Sequence, residues 1–172
     1  DYDFIPKSYA DALIVGQSAR GSARVVTSEA LPAVTYDNGS SGAGATLTAD
    51  ANGALPDIDG VTLIVTNRVL VKDQASALQN GIYEVTAVGD GSNPFILTRT
   101  DDYDLDSKIT NGSFIPVTNG TDRANTVWIM TTIGTMTVGA TDINFTQLSI
   151  SPASYTADGG VLINSNNFSL DL

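Results

Sequence analysis

The sequence predicts a mostly β protein: an antiparallel β-sandwich or barrel-like domain with a short N-terminal helix and a small C-terminal hairpin. Two observations support this fold class. From Ser22 onward, short runs rich in Val, Ile and Thr alternate with clusters of Gly, Asn, Asp and Ser, which is the pattern of strands joined by turns. No helix-length segments alternate with these runs, so a parallel α/β fold is disfavoured.

The helical pattern lies in residues 1–16. Pro6 suits the first turn of a helix. Tyr9, Ala12 and Leu13 recur three or four residues apart, so one face is apolar. Because a helix this short is unstable alone in water, we expect it to dock on its own domain or on a neighbouring chain.

The chain divides into a helix or connector (1–20), a β-sandwich domain (21–150) and a C-terminal hairpin (151–172) that could begin a following module. Thr35–Leu47, which is small and polar, is interpreted as a long exposed loop or a loose hairpin tip. Twelve runs are predicted as strands: Ala23–Thr27, Ala45–Ala49, Leu63–Val65, Arg68–Lys72, Gly81–Ala87, Phe95–Arg99, Ser113–Val117, Thr126–Thr131, Thr135–Val138, Asn144–Leu148, Gly160–Asn164 and Asn167–Asp171.

The amino-acid composition argues against several classes of function. The chain has 172 residues and a formal net charge of −11, with only eight Lys and Arg. Such an acidic surface repels phosphate backbones and anionic lipid, which argues against nucleic-acid binding and membrane adsorption. No apolar run approaches the roughly 18 residues of a membrane span. The absence of Cys and His excludes disulfides, cysteine metal sites and every catalytic triad built on imidazole.

The stretch RVLVKDQASALQNGIYEV runs from Arg68 to Val85. Its two ends alternate with period two and predict half-buried strands. Asp73 can begin the turn between them, and Asn80-Gly81 can end it with positive φ, while Ala75–Leu78 fits one helical turn. Lys72 could act as a base or nucleophile only if it were desolvated. We therefore interpret the segment as a wide loop that caps one end of the domain.

Several stretches, in order, resemble a module of bacteriophage tail-fibre and related virion proteins. DGVTLIVTNRVLVKDQASALQNGIYEV is similar to the family's D-G-V-x-L-x-x-x-D-R-V-L-V-K-x-Q-x-x-x-x-x-N-G-I-Y-x-V. NPFILTRTDDYD is similar to a run ending L-T-R-A-x-D-x-D, and NTVWIMTT to one ending W-x-L-T-T. The resemblance extends over residues 6–172. It departs at Asn67, where the family has Asp, and at Val127, where the family has Gly.

The resemblance implies a virion protein of the tail or another external appendage that is not an enzyme and has no cofactor. Its partners would be further copies of itself in a homotrimer, other virion proteins, and a host-surface glycan or protein. The expected function is non-covalent host attachment. The alternatives are an adaptor, baseplate or capsid-decoration module with a purely structural role, and a polysaccharide depolymerase.

An acidic loop, TDDYDLDSK, is a candidate metal site. Asp102, Asp104 and Asp106 are spaced by two, as in a calcium loop, but Ser107 and Ser113 stand where an EF-hand needs Gly and Glu. A Ca²⁺ or Mg²⁺ site of another type remains an alternative to a solvated acidic loop.

Asp57 and Asp59, in PDIDG, are candidate carboxylates for glycoside hydrolysis, which needs two such groups roughly 5–10 Å apart across a cleft. The favoured interpretation of IDGV is instead a turn that begins the next strand. Arg99 is expected to pair with the acidic loop that follows it.

Three aromatic residues are candidates for receptor contact. Tyr36 and Tyr103 are placed in loops, where an aromatic ring is available to a glycan or protein. Trp128 falls on one face of a predicted strand, so core burial is weighed there against sugar stacking.

Overall fold

The computed structural model describes residues 19–148, 161–164 and 167–170, and these form a mostly β protein. The predicted helix in residues 1–16 lies outside the described residues. The strands are β1 Val25–Val26, β2 Val34–Asp37, β3 Thr46–Ala49, β4 Arg68–Val71, β5 Gly81–Ala87, β6 Ile96–Arg99, β7 Phe114–Val117, β8 Thr126–Met130, β9 Phe145–Gln147, β10 Val161–Asn164 and β11 Asn167–Leu170. Two one-turn 3₁₀ helices span Ala77–Gln79 and Asp101–Tyr103.

The strands between residues 25 and 147 form two sheets. One has six strands in the order β1-β4-β5-β6-β3-β2, and the other has three in the order β7-β8-β9. All neighbours are antiparallel except β1 and β4, which run parallel. Ala19 and Ala23 form parallel bridges to the three-stranded sheet just before β1 joins the six-stranded one. The described strands do not close into a barrel, so that alternative is wrong.

A first apolar core lies where the two sheets meet. Leu70 and Ile82 of the six-stranded sheet pack in one cluster with Ile115 and Met130 of the three-stranded sheet. Tyr103, from the acidic loop, completes this cluster and is fully buried. Each large apolar side chain removed from water in this way contributes about 1.5–3 kcal/mol, so this cluster holds the sheets together.

A second core covers the other face of the six-stranded sheet. Val69, Tyr83 and Leu97 of the central strands pack there against Leu55 and Leu63, which come from the segment between β3 and β4. The central strands are therefore buried on both faces, whereas their alternation predicted one buried face. A loop, rather than a third sheet, supplies the cover.

Two predicted strands are not strands in the structure. At Leu63–Val65 the Asn67 side chain accepts the Ile64 N–H at 3.2 Å, and Thr66 has a positive φ of 75°, so the chain turns before β4. At Thr135–Val138, side-chain oxygens of Asp106 and Thr141 accept the backbone N–H groups that a strand would have paired.

Of the two interpretations of Thr35–Leu47, the hairpin is confirmed and the long exposed loop is wrong, although strand β2 itself was not predicted. β2 pairs antiparallel with β3, Tyr36 standing opposite Leu47, and only the tip around the Ser40–Ala43 bridge remains a turn. The predicted C-terminal hairpin is present as the antiparallel pair β10 and β11. In the described part of the chain, no helix is long and apolar enough to cross a membrane.

Candidate functional site

The connection between β4 and β5 is a fixed cap, as predicted. Its 3₁₀ turn, Ala77–Gln79, overlaps the predicted helical turn Ala75–Leu78 but ends one residue later. The Asn80 side chain accepts the Gln74 N–H at 3.0 Å and donates to the Ile143 carbonyl at 2.9 Å. The Ile143 N–H in turn donates to Ala77 O at 3.1 Å. These bonds fasten the loop to the segment before β9.

Arg99 is buried beneath this cap and is only 3 % exposed. Its guanidinium donates to Asn80 O at 3.1 Å and to the Tyr83 hydroxyl at 2.8 Å, and it lies 4.9 Å from the centre of the Tyr83 ring. The Tyr83 hydroxyl donates to Gln79 O at 2.6 Å. A Cβ at Gly81 would stand 2.1 Å from Arg99 Nη1, so this position requires glycine.

The expected pairing of Arg99 with the acidic loop is therefore wrong. Arg99 stands opposite Tyr83 in the pairing of β6 with β5, so its guanidinium points toward the second core. No carboxylate among the described residues pairs with it. Burial is the main influence on the Tyr83 hydroxyl and raises its pKa, while the Arg99 charge opposes that rise.

Arg68 is the residue that anchors the acidic loop. Its Nη2 donates to both carboxylate oxygens of Asp102, at 3.0 and 2.8 Å, and the Gly21 N–H donates to the same carboxylate at 3.1 Å. Burial by itself raises the pKa of Asp102, but the bonds from Arg68 and Thr100, the Arg68 charge and the Gly21 N–H together hold it below its usual value.

The three aspartates with calcium-like spacing do not converge. Asp104 pairs with Lys108 at 2.7 Å, and Asp106 accepts the Val138 N–H at 2.8 Å. Asp102 is held by the arginine described above. No group of three or more acidic side chains within the described residues could hold a metal ion.

Two of the three candidate aromatics are core residues rather than surface ones. Tyr103 is 0 % exposed, and its ring lies 6.1 Å from that of Phe145. Trp128 is 7 % exposed, with the Lys72 ammonium 4.8 Å from its ring centre and its indole N–H donating to Thr126 at 3.2 Å. Neither ring is available to a receptor, because both fill the space between the sheets.

Tyr36, the third candidate, lies on strand β2 rather than in a loop. It is half-buried against the second core, and its hydroxyl donates to Asn38 Oδ1 at 2.6 Å. The predicted loop position is wrong because the small residues after Tyr36 form the tip of a hairpin whose arms are paired.

Asp57 and Asp59 each have a local partner. Ile58 and Val61 pair across Asp59-Gly60, whose positive φ angles of 49° and 72° are those of a type I′ turn. The turn predicted from IDGV is therefore present, but no strand begins directly after it, because the next strand, β4, starts at Arg68. The Asp59 carboxylate accepts the N–H groups of Asp122 and Arg123 at 3.0 and 2.9 Å. Asp57 accepts the Thr62 hydroxyl at 2.8 Å. The two aspartates border an open cleft of about 460 Å³ together with residues 27–32.

A polar groove on the six-stranded sheet was not foreseen. On the sheet face that carries Leu70 and Ile82, the strand positions beyond the first core hold polar side chains. The Thr86 and Thr98 hydroxyls lie 2.9 Å apart there, and Glu84 stands opposite Thr98. We call this the threonine groove. It holds about 290 Å³, and its lining includes Arg68, Glu84, Thr86, Thr98, Thr100 and Asp101.

Period-two threonines were the signal for this groove. Thr98 in β6 and Thr100 directly after it recur at this period, and both line the groove together with Thr86 of β5. The period-two threonines of β3, Thr46 and Thr48, lie on the same sheet face outside the groove lining. The groove combines hydroxyl and carboxylate acceptors with a guanidinium donor, since the Thr86 and Thr100 hydroxyls already donate to the Ile96 and Ile82 carbonyls. That set complements a ligand with many hydroxyl groups.

Comparison with protein-family models, with curated proteins and with solved structures finds no match to this chain.

Proposed function

We propose that this chain is a non-catalytic structural and attachment module of a bacteriophage tail fibre or related virion appendage, and that its threonine groove binds a host-surface glycan. The observation that carries the proposal is an open groove lined by polar side chains on an otherwise well-packed scaffold. Most residues that resemble the tail-fibre module serve the scaffold, while the open groove, which includes two of them, Arg68 and Thr98, presents polar groups to solvent.

The scaffold roles are specific. Asp59-Gly60 forms the tight turn before β4 and holds the 122–123 backbone. Arg68 ties β4 to Asp102. Asn80-Gly81 makes room for Arg99 and accepts its hydrogen bond. Such residues specify a shape that many proteins could share, which leaves the surface free to differ in what it binds.

Binding in this proposal is non-covalent. Glu84 and Asp101 accept hydrogen bonds from ligand hydroxyls. Thr86 and Thr98 accept them as well, because Thr86 already donates to Ile96 O and Thr98 donates to Thr86. A shallow polar groove gives weak single contacts, and three copies in a homotrimer would multiply them through effective concentration. The antiparallel β-sandwich architecture belongs to the same proposal and is supported by the two sheets that share the first core.

A second candidate is an adaptor or decoration module that binds other virion subunits. Exposed apolar residues favour it: Ile133 is 89 % and Ile64 is 64 % exposed. Side chains of this kind gain most from contact with another protein surface.

The test is binding of the purified chain to an array of bacterial surface polysaccharides, with its native mass determined by light scattering. Thr98→Val and Glu84→Gln should each weaken binding about tenfold, the factor for one lost hydrogen bond of roughly 1.4 kcal/mol. Thr48→Val is the matched control, because Thr48 lies on the same sheet face outside the groove lining. Equal loss in the control would contradict the groove. A folded chain that binds no polysaccharide would favour the adaptor.

A further inference from the structure

The chain contains five Asn-Gly pairs, beginning at residues 38, 52, 80, 111 and 119. In such a pair the glycine nitrogen can attack the asparagine side-chain carbonyl carbon. A C–N bond forms, ammonia leaves, and the product is a five-membered succinimide. Water then opens the ring to aspartate or to isoaspartate. Glycine favours the attack because it has no Cβ to obstruct the approach. Sequence alone would rank the five pairs as equals, so any difference between them comes from the fold.

Two pairs are held at both the amide and the glycine. Asn80 is 2 % exposed and bonded at both ends of its carboxamide, and Gly81 pairs with Val71 in the sheet. Asn38 donates to Val138 O at 3.2 Å and accepts the Tyr36 hydroxyl. The N–H of its glycine donates to Asp37. In both pairs, several hydrogen bonds must break before the ring can close.

Two other pairs are exposed, but their glycine nitrogens are engaged. The Asn111 side chain donates to Thr132 O at 2.9 Å, and the Gly112 N–H donates to Met130 O at 2.9 Å. Asn52 has no side-chain hydrogen bond within the described residues, yet the Gly53 N–H donates to Asn93 O at 3.2 Å. A nitrogen that donates to a carbonyl must first lose that bond to act as the nucleophile.

Asn119-Gly120 differs from all four. The Asn119 side chain is exposed, and its carboxamide only accepts a bond from the Thr118 hydroxyl at 2.9 Å. In the part of the chain that the structure describes, neither its amide nitrogen nor the Gly120 N–H has an acceptor. We propose that Asn119 is a site of spontaneous deamidation and isoaspartate formation in the folded protein, and that it reacts before the other four pairs.

Modification at this site would act on the Asp59 turn. Gly120 packs closely against that turn, since a Cβ on it would stand 2.0 Å from Asp59 Oδ2. The two residues after Thr121 donate their N–H groups to the same carboxylate. Isoaspartate lengthens the backbone before Gly120 by one methylene, and either product adds a negative charge to this loop. Both changes work against the contact, so the loop is expected to loosen from the turn as the protein ages.

The experiment is a deamidation time course on the folded chain in mildly alkaline buffer, followed by trypsin and fragmentation mass spectrometry. Asn111 and Asn119 lie in one tryptic peptide, residues 109–123, so their rates are compared within the same molecule. Asn119 should convert about tenfold faster than Asn111, whose two hydrogen bonds must break first. The same measurement in concentrated urea should bring the five rates together.

The Asn119→Gln variant should lose the fast phase and leave the slow sites unchanged. Equal rates at Asn111 and Asn119 in the folded chain, or conversion of Asn52 ahead of Asn119, would overturn the proposal. So would a rate order that urea leaves unchanged, since the order would then come from local sequence alone.

Discussion

The bond between Arg68 and Asp102 should couple the acidic loop to the six-stranded sheet by about 1–2 kcal/mol. Arg68 Nη2 lies 2.8 and 3.0 Å from the two carboxylate oxygens. A hydrogen bond to a charged group contributes about 1.5–3 kcal/mol. The side chains are 23 % and 29 % exposed, and solvent screening lowers the value toward that of a surface pair. A double-mutant cycle with Arg68→Met and Asp102→Asn isolates this coupling.

The coupling should also depend on pH. The pKa of Asp102 in the folded protein is held below its usual value, so its stabilising effect is fully present above the unfolded pKa of about 3.9. It is lost as the pH falls through the lowered folded value, because the protonated carboxyl no longer carries the charge that attracts Arg68.

Urea unfolding followed by Trp128 fluorescence measures each variant, since the chain has a single tryptophan. Asp101→Asn is the control: Asp101 is exposed, and its carboxylate makes no hydrogen bond within the described residues. Its effect should stay within about 0.5 kcal/mol. A coupling near zero at neutral pH, or one that persists unchanged in strong acid, would refute the reasoning.

Three further predictions concern the core. Gly81→Ala should lower the free energy of unfolding by about 2 kcal/mol or more, because its Cβ meets a buried guanidinium. Gly112 has a φ of 80° but open space around it, so Gly112→Ala should lower the free energy of unfolding by only about 1 kcal/mol. Equal losses of stability for the two variants in urea titrations would contradict this. Tyr103→Phe should be neutral or slightly stabilising, since that buried hydroxyl has no partner within the described residues. Tyr83→Phe should cost about 1–3 kcal/mol because it breaks two hydrogen bonds, and calorimetry that reversed this order would count against the assignment. Trp128 fluorescence should resist acrylamide quenching in the native state and lose that protection in urea, because the ring is buried; free quenching in the native protein would show an exposed indole.

Local patterns predicted the strands whose residues alternate between turn signals. Gly81–Ala87 has the predicted bounds, and most of the other predicted strands differ from the observed ones by only one or two residues. The Asp59-Gly60 turn was predictable for the same reason, since both residues tolerate positive φ and the conformation is decided within four residues.

Local patterns could not predict which side chains pair with each other in the fold. Arg99 is next to the acidic loop in sequence, yet the distant Arg68 holds that loop. Antiparallel register decides which face a side chain takes, and a side chain one position along a strand points the opposite way. The burial of Tyr103 also depends on distant parts of the chain, since the docking of its loop places the ring between the sheets.

The sequence shows the threonines of the candidate site but not that they lie together in one groove. Thr98 and Thr100 are visible at period two in the sequence, but they share a groove with Glu84 and Arg68 only because β4, β5 and β6 pair side by side. The local spacing of the threonines does not specify that order of strands.

The sequence by itself determined that this is a β protein with turns at defined Gly, Asn and Asp positions, because those preferences arise from the φ and ψ freedom of neighbouring residues. The tertiary structure alone decided the parallel β1–β4 pair, the loop that covers the second core, the buried place of the aromatic residues and the groove that remains open. Those outcomes depend on which distant surfaces exclude water together, and burial is a property of the assembled chain rather than of any short segment.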